Sequence, residues 1–122
     1  MRGPIRGPVW EILKFKDVQP LLGEDLLQVL YEKLEKVKKG YPLKLQLGST
    51  NIRVHYRWYI DGVVGKRLQI PGDWIIFIVL KENENTGQKV ECTRDHHEVV
   101  NLLKFWIDVE RYVIKKEDDN NQ

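Results

Sequence analysis

The stretch Leu43-Lys44-Leu45-Gln46-Leu47-Gly48-Ser49-Thr50-Asn51-Ile52-Arg53-Val54-His55-Tyr56-Arg57-Trp58-Tyr59-Ile60 decides the fold. Leu43, Leu45 and Leu47 alternate with Lys44 and Gln46, which is the two-residue period of a half-buried strand. Gly48-Ser49-Thr50-Asn51 supplies a turn, and the return run alternates again. Ile52, Val54, Tyr56, Trp58 and Ile60 share one parity, and Arg53, His55, Arg57 and Tyr59 the other. A hairpin with one apolar face needs a layer to cover that face.

Two amphipathic segments provide the layer. Over Gly23 to Lys39, Leu27, Leu30, Leu34 and Val37 recur at steps of three and four, widened by Leu26 and Tyr31. Glu24 and Asp25 open this segment and Lys36, Lys38 and Lys39 close it, matching the helix dipole. Gly40 is placed as its C-cap. The second segment spans about Arg94 to Lys116, with Asp95 three residues before Glu98 as a capping box. It carries two apolar stripes: Val99, Leu102, Trp106, Val109 and Val113, and beside them Val100, Leu103, Ile107 and Ile114, with Phe105 and Tyr112 extending the surface. One helix on one sheet needs a single stripe. The surplus implies a second contact, either the other helix or a homodimer interface through Leu102, Trp106, Val109 and Val113.

The remaining segments complete an α+β domain over residues 9–117, in the order β-α-β-β-β-β-(β)-α, on an antiparallel sheet of about five strands. Val9 to Val18 reads as a first strand with Trp10, Ile12, Leu13 and Phe15 as its apolar positions. Val63 to Ile70 reads as a fourth strand. Trp74 to Leu80 is apolar throughout, as expected of a central strand covered on both faces, and Gln88 to Thr93 fits a short last one. Residues 1–8, with Arg-Gly-Pro twice, read as a flexible basic arm, and 118–122 as a disordered acidic tail.

Composition narrows the class. The single cysteine, Cys92, rules out an intrachain disulfide and favours a reducing, cytoplasmic setting. No apolar run has the length of a signal peptide or a bilayer span. Glu117, Asp118 and Asp119 hold three of the 18 acids, leaving 20 basic side chains against 15 acidic over residues 1–116. Alanine is absent, while lysine and glutamate are heavily used. That style fits an AT-rich, thermophilic genome such as that of an archaeal virus or plasmid.

Catalytic patterns fail one by one. Cys92, His96 and His97 lie close together between Asp95 and Glu98, but successive helical residues point about 100° apart, so the two histidines do not easily share one ion. The segment reads as a capped helix start with a small core cysteine. A Cys92 nucleophile served by His96 or His97 has no supporting local signature. Tyr112 and Lys116 have a spacing used in some nucleotide-dependent enzymes, without the glycine-rich loop those require. The chain therefore reads as non-enzymatic, with no metal and no cofactor. The strand parity of Arg53, His55, Arg57 and Tyr59 remains. Lys44 and Gln46 should stand opposite it, with Arg67 on the next strand. Arg53, Arg57, Arg67 and Lys44 would neutralise phosphates, His55 and Tyr59 would stack on bases, and Arg2 and Arg6 would reach in from the arm. The expected function is binding of single-stranded DNA or RNA by a homodimer away from membranes. The alternative is a protein-interaction module using the apolar last helix.

Overall fold

A computed structural model describes residues 9–59 and 74–120, without the side chains of 57–59, 74–76 and 120. The hairpin forms as the alternation requires. Strand β2 (Leu43–Leu47) pairs antiparallel with β3 (Thr50–Tyr59), Leu43 opposite Val54 and Leu47 opposite Thr50. The turn is the two residues Gly48-Ser49, and Thr50 and Asn51 already belong to β3. Gly48 has φ 55°, a backbone conformation suited to glycine. A Cβ there would stand 2.7 Å from Glu110 Oε1, so the hairpin tip and the last helix pass at glycine distance.

Strand β4 (Trp74–Asn83) adds antiparallel to β3, and β5 (Lys89–Arg94) adds antiparallel to β4. The first strand, β1 (Glu11–Lys14), closes the other edge and pairs parallel with β2. The sheet order is thus β1-β2-β3-β4-β5, mixed rather than wholly antiparallel. The parallel pair follows from connectivity. Between β1 and β2 lie the helical turn α1 (Phe15–Val18) and helix α2 (Gly23–Lys38), a crossover of the kind that returns the chain in the same direction. The strand expected over Val9 to Val18 is therefore four residues long. The fourth strand expected at Val63 to Ile70 lies outside the described residues.

Both long helices lie on one side of the sheet. Leu26, Leu30, Leu34 and Val37 of α2 join Leu13, Leu43, Leu45, Leu47, Ile52, Val54, Phe77 and Val79 in one buried cluster. Gly40, at φ 102°, ends α2, with the Tyr41 N–H bonding back to the Lys36 carbonyl. Helix α3 (His96–Asn120) begins where Asp95 Oδ1 accepts the Glu98 N–H at 2.8 Å. Its last turn takes in 118–120, the start of the stretch read as a tail. Val99, Val100, Leu103 and Ile107 face the core. Beyond the sheet, the Arg111 guanidinium bonds the carbonyls of Val18 and Leu21 and pairs with Asp108 at 3.1 Å. It thereby gives the Leu21 carbonyl a partner and adds a second donor to the Val18 carbonyl, which already accepts the Leu21 N–H at 3.0 Å. No described helix is long and apolar enough to cross a membrane.

Candidate functional site

The face of the sheet away from both helices carries the basic residues. Directly opposed residues of paired strands share a face, so the register fixes rows across it. One row runs Ile12, Lys44, Arg53, Leu80, Glu91 from β1 to β5; the next runs Lys14, Gln46, Asn51, Glu82, Lys89. On the other side of the first row, His55 opposes Ile78, which opposes Thr93. Lys44 and Gln46 share the face of Arg53, as expected, and the two-residue turn sets them directly opposite Arg53 and Asn51, a residue expected in the turn.

Parity on β1 is the reverse of a simple apolar reading. Leu13 is the buried residue, and Glu11 shares its side of the sheet, where its carboxylate meets Lys36 at 3.2 Å and Lys33 at 3.4 Å. These ammonium groups, Lys36 foremost, hold the Glu11 carboxyl below its ordinary value. Trp10 and Ile12 consequently reach the open face. A cleft of about 380 Å³ lies between Trp10, Ile12, Lys44 and Arg53. The Trp10 indole meets His55 edge-on, with ring centroids 5.2 Å apart at 81°. A second cleft of about 330 Å³ follows, lined by His55, Tyr56, Ile78, Leu80 and Glu91. Trp10 is the member that sequence reasoning missed. Its signal was the shared parity of Trp10 and Ile12 among the apolar positions of the first strand.

Electrostatically this face is divided. Lys44 and Arg53 are opposed on the β1–β3 half, while Glu82 and Glu91 lie toward the β5 edge. Among the described residues, no acid stands within ion-pair distance of Lys44 or Arg53. Two like charges directly opposed across a ladder destabilise it, and an anion between them would reverse the sign of that term.

Other expected members fall differently. Arg57 and Tyr59 occupy β3 with backbones paired to Ile76 and Trp74, but their side chains lie outside the described set, as do those of Trp58 and Trp74. Arg2, Arg6 and Arg67 also lie outside the described residues. The apolar β4 run resolves, where described, into buried Phe77 and Val79 on the helix side and half-buried Ile78 and Leu80 on the open side.

The Cys92 region packs as a helix start. Cys92 lies against the core, opposite Val79. The His96 ring sits 5.2 Å from Tyr31 and 5.6 Å from Phe77, its Nε2 closed to solvent and without a hydrogen-bond partner. Burial first, and the nearby Lys38 ammonium second, push its pKa below 6.5 despite Glu35. The Tyr31 hydroxyl is hydrogen-bonded to His97 Nδ1 at 2.9 Å. Among the described residues no three His, Cys, Asp or Glu side chains converge to hold a metal ion.

On α3, the proposed interface residues split by depth: Leu102 and Trp106 are half-buried, whereas Val109 and Val113 are exposed. The Lys81 ammonium lies 5.2 Å above the Trp106 ring and occupies its sheet-facing side. No protein-family model matches the chain, and no curated protein or solved structure shows significant similarity to it.

Proposed function

We propose that this protein binds single-stranded nucleic acid on the open face of its sheet. The observation that carries the reading is the cation pair Lys44–Arg53, opposed without a described counter-ion beside the Trp10 cleft. A single strand offers what such a site lacks: phosphates for the two cations and an unpaired base for the indole. The cleft is shallow and apolar-walled, suited to a flat ring rather than to a chain of specific hydrogen bonds. Arg57, Tyr59, Arg67 and the arm residues Arg2 and Arg6 extend the proposed surface. Catalysis plays no part in this reading, and neither does a cofactor.

Gel-shift titrations with labelled single-stranded DNA, duplex DNA and RNA at two salt concentrations test the proposal. Each phosphate contact on a single strand contributes about 0.7 to the salt slope, and each stacked base about 1–3 kcal/mol. Lys44→Ala/Arg53→Ala is expected to weaken binding and lower the slope by about 1.4. Trp10→Ala should weaken it roughly tenfold or more while leaving the slope unchanged. Equal binding by wild type and by both variants sinks the proposal.

A further inference from the structure

Helix α3 has two flanks of opposite character. One carries Lys104, Asp108 and Arg111, tied to each other by ion pairs at 3.0 and 3.1 Å and to the α1 carbonyls by Arg111. The other carries large apolar side chains in water: Phe105 is 60% exposed, Tyr112 64% and Val109 42%. An isolated exposed apolar residue is unremarkable, but a line of them along a helix is not. Leu102, Phe105, Val109 and Tyr112 follow one another at steps of three, four and three, the spacing of a two-helix seam. Phe105 and Tyr112 stand farthest into solvent, while Leu102 is half-buried and Val109 borders a small cleft with Leu47, Thr50 and Lys81 of the sheet. At 100° per residue the line points about 150° away from the core-facing Val99, Val100, Leu103 and Ile107.

The ends of the line identify its occupant. Continuing the same alternation four residues outward reaches Glu98 at one end and Lys116 at the other. A line that is apolar in the middle, with an acid at one end (Glu98, which also reaches Arg94 of its own chain at 3.6 Å) and a base at the other, is complementary to itself when reversed. We propose that α3 is the seam of a homodimer in which a second copy packs antiparallel. Glu98 of each helix then stands beside the partner's Lys116, and Phe105 beside the partner's Val109. From Glu98 to Lys116 the seam advances 18 residue steps, about 27 Å at 1.5 Å per step. Reversal also sets each helix's positive N-terminal end against the negative C-terminal end of its neighbour. A partner of unrelated sequence would have no reason to match both the 3-4 spacing and the reversed charges. Because the seam points away from the sheet, the two sheets lie on the outside of the dimer. Their open faces then point in opposite directions.

Sedimentation velocity and light scattering on the full chain over a micromolar concentration series test the seam. Wild type is expected at twice 14.5 kDa. Val109→Glu and, independently, Phe105→Glu should run at the monomer mass with unchanged far-ultraviolet circular dichroism, both sites being exposed. Glu98→Lys and Lys116→Glu each create two like-charge contacts and should raise the dimer Kd several-fold. The doubly substituted Glu98→Lys/Lys116→Glu should return it to the wild-type value. A wild type that stays monomeric overturns the proposal, as does a folded Val109→Glu chain that stays dimeric. A charge swap no tighter than its single substitutions also overturns it. The seam does not depend on the nucleic-acid reading: a monomeric Val109→Glu chain retains Lys44, Arg53 and Trp10, so a gel shift scores the open face separately.

Discussion

Phe77 and Ile78 are chain neighbours on β4, yet they live under different rules. Phe77 is fully buried, edge-on to Tyr56 and to His96. Ile78 is half-buried beside His55 on the face that no described helix covers. On the covered face every side chain is judged by how it packs; on the open face cations stand opposite one another at an electrostatic cost. The packed core lies on one side of the sheet, and the proposed binding surface on the other. A protein under selection for stability alone would place an acid opposite Arg53.

Substitutions that probe the two faces should separate these roles. Phe77→Ala removes the largest fully buried side chain among the described residues and should cost about 3–5 kcal/mol in denaturant unfolding. If the loss is below 1 kcal/mol, the covered face is not the stabilising one. Arg111→Met keeps much of the bulk and removes the bonds to the Val18 and Leu21 carbonyls. It should cost about 2 kcal/mol, because hydrogen bonds to a charged group contribute about 1.5–3 each and the freed oxygens regain some water.

A smaller effect is expected from pH. His96 has its folded pKa pushed below 6.5, chiefly by burial, with Lys38 and His97 adding to the shift and Glu35 and Asp95 opposing it. Above that value both states are neutral there. As pH falls through about 6.5, the unfolded chain takes up a proton that the folded ring resists, so stability declines until the folded ring itself titrates. In His96→Phe this part of the pH dependence should vanish from the unfolding curves; an unchanged slope would show that His96 titrates freely. The smallest change belongs to the open face. Arg53→Ala should alter stability by no more than about 0.5 kcal/mol, in the stabilising direction, because it relieves the opposition with Lys44. A loss of several kcal/mol would mean that the open face is structural after all.

Much of this division was legible in the residues. The faces of the hairpin could be read because alternation fixes them, but not its register: a turn over 48–51 would set Lys44 against His55, whereas the tighter Gly48-Ser49 turn sets it against Arg53. The two helices could be read because their apolar steps and end charges agree. Strand β1 could not. A four-residue strand carries too little pattern to show its parity, and one position of slip exchanges the faces. What sets the parity is remote: Glu11 meets Lys33 and Lys36 across α2, contacts that only the folded crossover creates. The sequence therefore left open which face Trp10 takes. The parallel pairing was hidden for the same reason, since direction is dictated by the crossover rather than by the strand.

That short strand has a consequence for how the open face would report a ligand. β1 is an edge element with one neighbour, held by a four-residue ladder, the buried Leu13 and the Glu11 ion pairs. Segments with so few anchors open locally far more often than the whole molecule unfolds. Each opening would carry Trp10 and Ile12 away from Lys44 and Arg53 and dismantle the cleft. Oligonucleotide bound in the cleft must then hold β1 closed, by an amount that rises with its concentration over Kd. Amide hydrogens of β1 should therefore exchange quickly in the free protein and slowly in the complex, while those at the centre of β3 change little.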